Sequence, residues 1–238
     1  LACPLGTYGY SWGMQSVTEC TNCATGHYCP SLNMTDNGPE CDAGFYCTEA
    51  SMEAGPLGET WGDECPTGHF CLAGSGQPEA CPPGKYQNET RQTSCRNCPQ
   101  GFYCPTNTSQ PLSCPSGYYC QAGQFEPYVW PCPIGTFNNL TERFSVVSCV
   151  DCLPGMFCEI PGLSWPTDNC DGGWYCILGS EHDRPGDPVQ GGRCEPGYYC
   201  PNGSSAMVPC EPGSFCDAYE LSEPTGPCQS GFYCLLQS

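Results

Sequence analysis

Cys132-Pro-Ile-Gly-Thr-Phe137, a polar stretch, then Ser148-Cys149-Val-Asp-Cys152-Leu-Pro-Gly-Met-Phe157-Cys158 carries the pattern on which the fold turns. Each half follows one rule: Cys, two residues, Gly, one residue, then Tyr or Phe. Along the chain that rule recurs thirteen times, beginning at Cys3, Cys23, Cys41, Cys65, Cys81, Cys98, Cys114, Cys132, Cys152, Cys170, Cys194, Cys210 and Cys228. The fourth position is glycine every time, from Gly6 and Gly26 to Gly213 and Gly231, and the sixth is always aromatic, from Tyr8 to Tyr233. In ten of the thirteen a second cysteine follows at once, as in Cys98-Pro-Gln-Gly-Phe-Tyr-Cys104. Glycine belongs where the backbone turns with positive φ or meets another chain segment closely. Proline at the second position, as in Pro66, Pro99 and Pro133, pre-sets a turn. The ring is then expected to lie over a disulfide and to supply most of the apolar burial of its repeat. A repeat of this size cannot hide a ring alone, so it must stack on its neighbours in an elongated tandem array.

Composition agrees. Of 238 residues 26 are cysteine, 30 glycine and 26 proline, whereas Leu, Ile, Val and Phe together make only 32. So little aliphatic mass cannot build the core that this length normally allows. With a net charge of −19 the chain would otherwise be disordered. Crosslinks are the way out, and at this density they persist only in an oxidising compartment. The expected localisation is therefore extracellular or secreted. One Lys and five Arg against 25 acidic residues leave no basic patch for nucleic acid or anionic lipid. No apolar run approaches the roughly 20 residues that span a bilayer. The sequence opens at Leu1 with neither a charged nor an apolar export region, so it is expected to be a mature segment of a longer exported protein.

A longer period sits above the short one. Motif spacings from Cys3 are 20, 18, 24 and 16 residues, and those from Cys132 are the same. Nine cysteines map onto nine others at a constant offset of 129. Two blocks follow, 1–131 and 132–238, the second truncated. The expected fold class is small disulfide-rich repeats with short β-ladders and turns, because no helical period and few alternating strands are present. Thr48–Glu64 and Ile177–Arg193 are rich in Gly and Pro and are expected to be surface loops.

Three motifs lack the second cysteine, and each is followed by Cys-x-x-Cys. The simplest closure there is Cys3–Cys20, Cys81–Cys95 and Cys132–Cys149. The three stretches that follow then hold 6, 4 and 10 cysteines. A crossed scheme needs multiples of four, which favours closure inside each motif: Cys23–Cys29, Cys41–Cys47, Cys65–Cys71, Cys98–Cys104, Cys114–Cys120, Cys152–Cys158, Cys170–Cys176, Cys194–Cys200, Cys210–Cys216 and Cys228–Cys234. The rival joins each motif's second cysteine to the first of the next, and spacing does not decide connectivity.

The Cys132–Cys158 stretch resembles the ephrin-receptor-like cysteine-rich repeat and is more distantly similar to tumour-necrosis-factor-receptor and epidermal-growth-factor-like modules. Such repeats occur in receptor ectodomains, secreted matrix proteins and large surface glycoproteins of algae and protists, including flagellar hairs (mastigonemes). The resemblance covers nearly the whole chain and implies an extracellular scaffold with no catalytic residues. Short Cys-x5-Cys motifs run back to back here, a departure that favours a long structural protein over a specific receptor.

Five of the ten asparagines open an Asn-x-Ser/Thr sequon: Asn33, Asn88, Asn107, Asn139 and Asn202, all in the variable linkers. In a secreted chain these are N-glycan acceptors. No other cofactor is expected. Zinc would need cysteines that an oxidising compartment ties up. Calcium fits the acidic composition better, but the acids are dispersed and no Asp-x-Asp-x-Asp-Gly loop exists. Solvated charge that keeps copies apart explains them more simply. His27 and His69 fill the variable position beside the motif aromatic, and no Ser or Cys has an identifiable base, so an enzyme is not expected. Six aromatic doublets, such as Phe45-Tyr46 and Phe232-Tyr233, should turn one ring inward and leave the other for a neighbour or a sugar. Phe125-Glu-Pro-Tyr128-Val-Trp130 is a similar candidate anchor. The expected function is a fibre or appendage shaft, which self-associates or joins other repeat chains through a non-closing contact. The alternative is the ligand-binding ectodomain or stalk of a receptor.

Overall fold

In a computed structural model, which describes residues 2–58 and 60–238, each Cys-x-x-Gly step is a tight turn. The Thr136 N–H donates to Pro133 O at 3.2 Å and that of Phe102 to Pro99 O at 3.3 Å. Glycine takes the third corner, with φ of +75° at Gly135, as a type II turn demands. Proline therefore stands at the first corner, where its carbonyl accepts, and not at the second corner, where its ring would pre-set φ. The aromatic leaves the turn in a strand of two or three residues. That strand pairs with the residues just ahead of the next motif cysteine: Thr136–Phe137 with Val150–Asp151, and Phe45–Cys47 with Gly62–Glu64. Ten such two-stranded antiparallel hairpins form among the described residues. Single bridges, His27 with Glu40 and Tyr118 with Pro131, serve two further repeats. No α-helix occurs among the described residues, only 3-10 turns at Val17–Glu19 and Val146–Ser148.

Hairpins this short are not stable alone. Thirteen disulfides hold them: the three wider closures Cys3–Cys20, Cys81–Cys95 and Cys132–Cys149, and ten inside Cys-x5-Cys motifs. The interior is made of sulfur. Among the described residues the buried apolar side chains are cysteines apart from Phe137, Phe157, Pro56, Pro166 and Pro185. The other motif rings are half-buried or exposed, which departs from the expectation that rings supply the burial. The reason is geometric, because the disulfides occupy the axis of each repeat and a ring can only cover one from the side. Phe137 packs on Cys152 and Cys158, and Phe157 on Cys170 and Cys176, so each ring covers the disulfide of the following repeat.

The chain divides into two compact units, Leu1–Leu112 with Ala122–Glu126, and Ser113–Gln121 with Pro127–Ser238. Inside each, successive repeats are stitched by the same four backbone hydrogen bonds. In the second unit Gly155 N–H donates to Cys176 O at 2.8 Å, and Cys170 N–H returns to Gly155 O at 2.9 Å. Gly179 N–H reaches back to Cys152 O at 2.9 Å, and Cys158 N–H donates to Ser180 O at 2.9 Å. In the first unit the same bonds join Gly26 to Cys47, Cys41 to Gly26, Ala50 to Cys23, and Cys29 to Ser51, at 2.8–3.0 Å.

Residues at the offset of 129 have the same structure. Ser51 and Ser180 are fully buried, and the hairpin Phe45–Cys47/Gly62–Glu64 repeats as Trp174–Cys176/Gly191–Arg193. The two long inserts are thus not plain surface loops: each ends in a strand and buries a serine and a proline, Pro56 in the first and Pro185 in the second. Glu59 of the first insert lies outside the described residues.

Candidate functional site

The feature that recurs is not a pocket but a backbone strap. Three or four residues past each second-cysteine position one residue takes a left-handed conformation, such as Asn33 (φ +62°), Ala50 (+62°), Arg91 (+59°), Glu142 (+62°) and Gly179 (+79°). Its N–H caps the first cysteine of the preceding repeat, and its carbonyl lies behind the motif glycine one repeat further back. A Cβ on Gly6 would meet the Ala50 carbonyl, and one on Gly155 that of Gly203. The motif glycine therefore serves twice, once for its positive φ and once because backbone occupies the place of a side chain. Sequence reasoning missed the straps. The signal that could reveal them is the Gly or Asn three or four residues after the motif, as at Gly74, Asn107 and Gly162.

In two of the three motifs that lack the second cysteine a polar side chain replaces it; in the first the position is Gly9. Gln87 and Asn138 are buried at 1% and 3% exposure. Gln87 Nε2 donates to Ser94 O at 2.7 Å and its Oε1 accepts from the Glu89 N–H at 3.1 Å. Asn138 closes a similar turn on Leu140, at 3.0 and 3.1 Å. A covalent bridge is replaced here by paired hydrogen bonds to backbone.

All five sequon asparagines are exposed. Asn33 and Asn107 are strap residues, with φ of +62° and +63°. Asn88 and Asn139 each follow the buried amides Gln87 and Asn138. Asn202 precedes the strap residue Gly203, and its sequon hydroxyl, Ser204 Oγ, donates to Pro201 O at 2.6 Å.

The aromatic doublets do not sort into one buried and one free ring. Five carry two half-buried rings, whereas Phe232 and Tyr233 are 74% and 85% exposed. Trp130 stacks on Tyr119 with centroids 6.2 Å apart, and Tyr128 meets Tyr118 edge-on at 5.1 Å, so both the Trp and the Tyr of the expected anchor have ring partners within the fold. Tyr10 and Trp12 are the most open rings of the first repeat, at 73% and 103% exposure.

Charges are spread over the surface. Arg91–Glu64, Arg96–Glu89 and Arg184–Asp171 are exposed ion pairs at 2.6–2.8 Å. The hydrogen bond and charge of Asp171 hold the Arg184 guanidinium above its ordinary range, and Glu89 does the same for Arg96. Among the described residues no cluster of three or more His, Cys, Asp or Glu is placed to hold a metal, and no cysteine is free. His27 Nδ1 lies 3.5 Å from Thr25 O and His69 Nδ1 3.2 Å from Thr67 O, the same local contact in two repeats. Among the described residues no helix is long and apolar enough to cross a membrane. No family model matches the sequence, and no curated protein matches it.

Proposed function

We propose that this chain is a structural segment of an extracellular glycoprotein, a disulfide-stapled array that builds the shaft of a fibre or cell-surface appendage. One observation carries it: the same four backbone bonds recur at successive repeat junctions within each compact unit. Side chains are thereby freed from specifying the neighbour, and what they show to solvent is acidic and dispersed rather than convergent. The ephrin-receptor-like pattern of the motifs and the disulfide density support an extracellular setting. Asn33, Asn88, Asn107, Asn139 and Asn202 are its glycan acceptors, and their exposure supports that role. Glycans solvate a chain that has little core and shield its linkers from proteases. Self-association or contact with other repeat chains supplies the fibre.

The test is electron microscopy of the native material together with mass mapping before and after enzymatic deglycosylation. Filaments, and glycan mass at the five asparagines, are expected. Dispersed monomers at high concentration and unmodified sequons would overturn the proposal. A second reading, a ligand-binding receptor stalk, is favoured by Tyr10 and Trp12, whose counterparts at the 129 offset are Asn139 and Thr141. Loss of cell-surface ligand capture in a Trp12→Ala chain would support it.

A further inference from the structure

The two long inserts share a backbone frame and differ in chemistry. Thr48 N–H donates to Trp61 O at 3.1 Å, and at the offset of 129 Ile177 N–H donates to Gln190 O at 3.0 Å. Ser51 Oγ donates to Glu53 O at 3.2 Å, and Ser180 Oγ to His182 O at 3.3 Å. Buried Pro56 stands against Gly62, where an added Cβ would meet its Cγ at 2.9 Å. Pro185 stands against Gly191 in the same way, at 2.8 Å.

In the first insert Met52, Glu53, Pro56, Leu57, Gly58 and Trp61 line a cleft of about 140 Å³. At the offset of 129 those positions hold Glu181, His182, Pro185, Gly186, Asp187 and Gln190. There Gln190 Oε1 turns back to accept from the Glu181 N–H at 3.4 Å. Of the six positions only the proline keeps its residue. The frame thus needs the floor of the cleft and not its walls. Leu57 and Trp61 nonetheless stand 70% and 44% exposed, where the second insert has glycine and glutamine.

The lining selects the occupant. Trp61 brings an indole, Glu53 the one carboxylate, and Met52, Pro56 and Leu57 apolar surface. A cation on an apolar stem matches this set, because the stem covers carbon while the head meets carboxylate and ring. A sugar would call for several convergent polar groups, which the lining lacks. Thr48–Glu64 holds five acidic residues and no Lys, Arg or His, so the field there favours a positive charge. None of the three ion pairs among the described residues uses Glu53. Other copies of this chain are poor donors of that charge. Arg91, Arg96 and Arg184 are in ion pairs, and the Arg193 guanidinium lies 4.3 Å from the Tyr219 ring centroid. The backbone bonds at Glu53 and Trp61 hold the site ready, so binding has little to order.

We infer that this cleft binds one arginine or lysine side chain, presented by a basic segment of a different protein. The site goes beyond the scaffold reading and does not depend on it.

The test uses the whole chain, secreted from an oxidising host and labelled with nitrogen-15, titrated with N-acetyl-arginine amide and with N-acetyl-lysine amide. The Trp61 indole N–H resonance, identified by its loss in Trp61→Gln, should move saturably with at least one of them, with a Kd on the order of millimolar. N-acetyl-leucine amide should leave it in place. Glu53→Gln, an exposed position, should weaken the cation about fivefold. Trp61→Gln installs the residue that the same frame carries at Gln190, so the fold is kept, and the Leu57 and Gly58 amides should stop responding. A Trp61 resonance that ignores both cations, or answers leucine equally, would overturn the site. So would an unchanged affinity in Glu53→Gln. A resonance that moves on dilution of the chain alone would place a second copy in the cleft and overturn the proposed partner. Filaments in the native material bear on the scaffold reading alone, so the two can fail separately.

Discussion

Arg91 Nε donates to Glu64 Oε2 at 2.6 Å, while the Arg91 backbone N–H closes the same repeat on the neighbouring Cys65 carbonyl at 2.8 Å. Its guanidinium also lies 5.2 Å from the Phe45 ring centroid. One strap residue thus holds a repeat by backbone and by side chain. The ion pair is half-exposed, so it is worth at most about 1 kcal/mol. Arg91→Ala should cost no more than that, and a double-mutant cycle with Glu64→Gln should return a coupling that fades in high salt. Arg91→Gly should stay within about 1 kcal/mol of the parent, because glycine accepts the positive φ without strain. Equilibrium urea unfolding measures all of these.

Gly155→Val tests the strap contact. The valine must adopt a φ of +83° and place its Cβ against the Gly203 carbonyl. Strain and overpacking together should cost about 3 kcal/mol. Hydrogen exchange should rise in the Cys152 and Cys170 repeats and much less elsewhere, because repeat arrays couple to near neighbours. Gly186→Ala, with open space at its Cβ position, is the control and should stay within about 0.5 kcal/mol.

The polar substitutes at the missing cysteines should be as sensitive as core residues. Gln87→Ala removes the donor to Ser94 O and the acceptor of the Glu89 N–H and empties a buried side-chain site, at a cost of about 1–3 kcal/mol. Asn138→Ala should behave alike, since its amide serves Leu140 in the same way. Limited proteolysis should then open the linkers at 88–94 and 139–148 first.

Removing one staple should be local, removing all of them global. Replacing Cys170 and Cys176 together by serine should cost about 2–4 kcal/mol, with faster hydrogen exchange centred on that motif. Full reduction should collapse the hydrodynamic profile to that of an unfolded chain, since cysteine supplies nearly all of the buried apolar surface. A reduced chain that sediments like the oxidised one would show that something other than sulfur holds the fold.

Much of the fold was legible because it is local. The turn at Pro133–Thr136 follows from a glycine at fixed spacing after the motif cysteine, and the hairpin at Phe137 from the return to Cys149 and Cys152. The sequons were legible as tripeptides, and the structure adds only that Asn33 and Asn107 are strap residues. The straps themselves were not legible. Gly6 and Ala50 are far apart in sequence, and nothing in an Ala at that position marks a left-handed backbone. The even sharing of burial between the two rings of Phe45-Tyr46 was also misjudged, because it depends on what the next repeat brings alongside.

Residue order alone therefore specified the repeat, its turn, its period of 129 and the oxidising setting, since each depends on groups within one motif or on composition. Tertiary structure decided what joins the repeats: backbone from two motifs onward seated behind motif glycines such as Gly6 and Gly155, and the Phe137 and Phe157 rings resting on the following disulfide. Main-chain carbonyls carry no side-chain signature, so where they land becomes visible only when the chain has folded back upon itself.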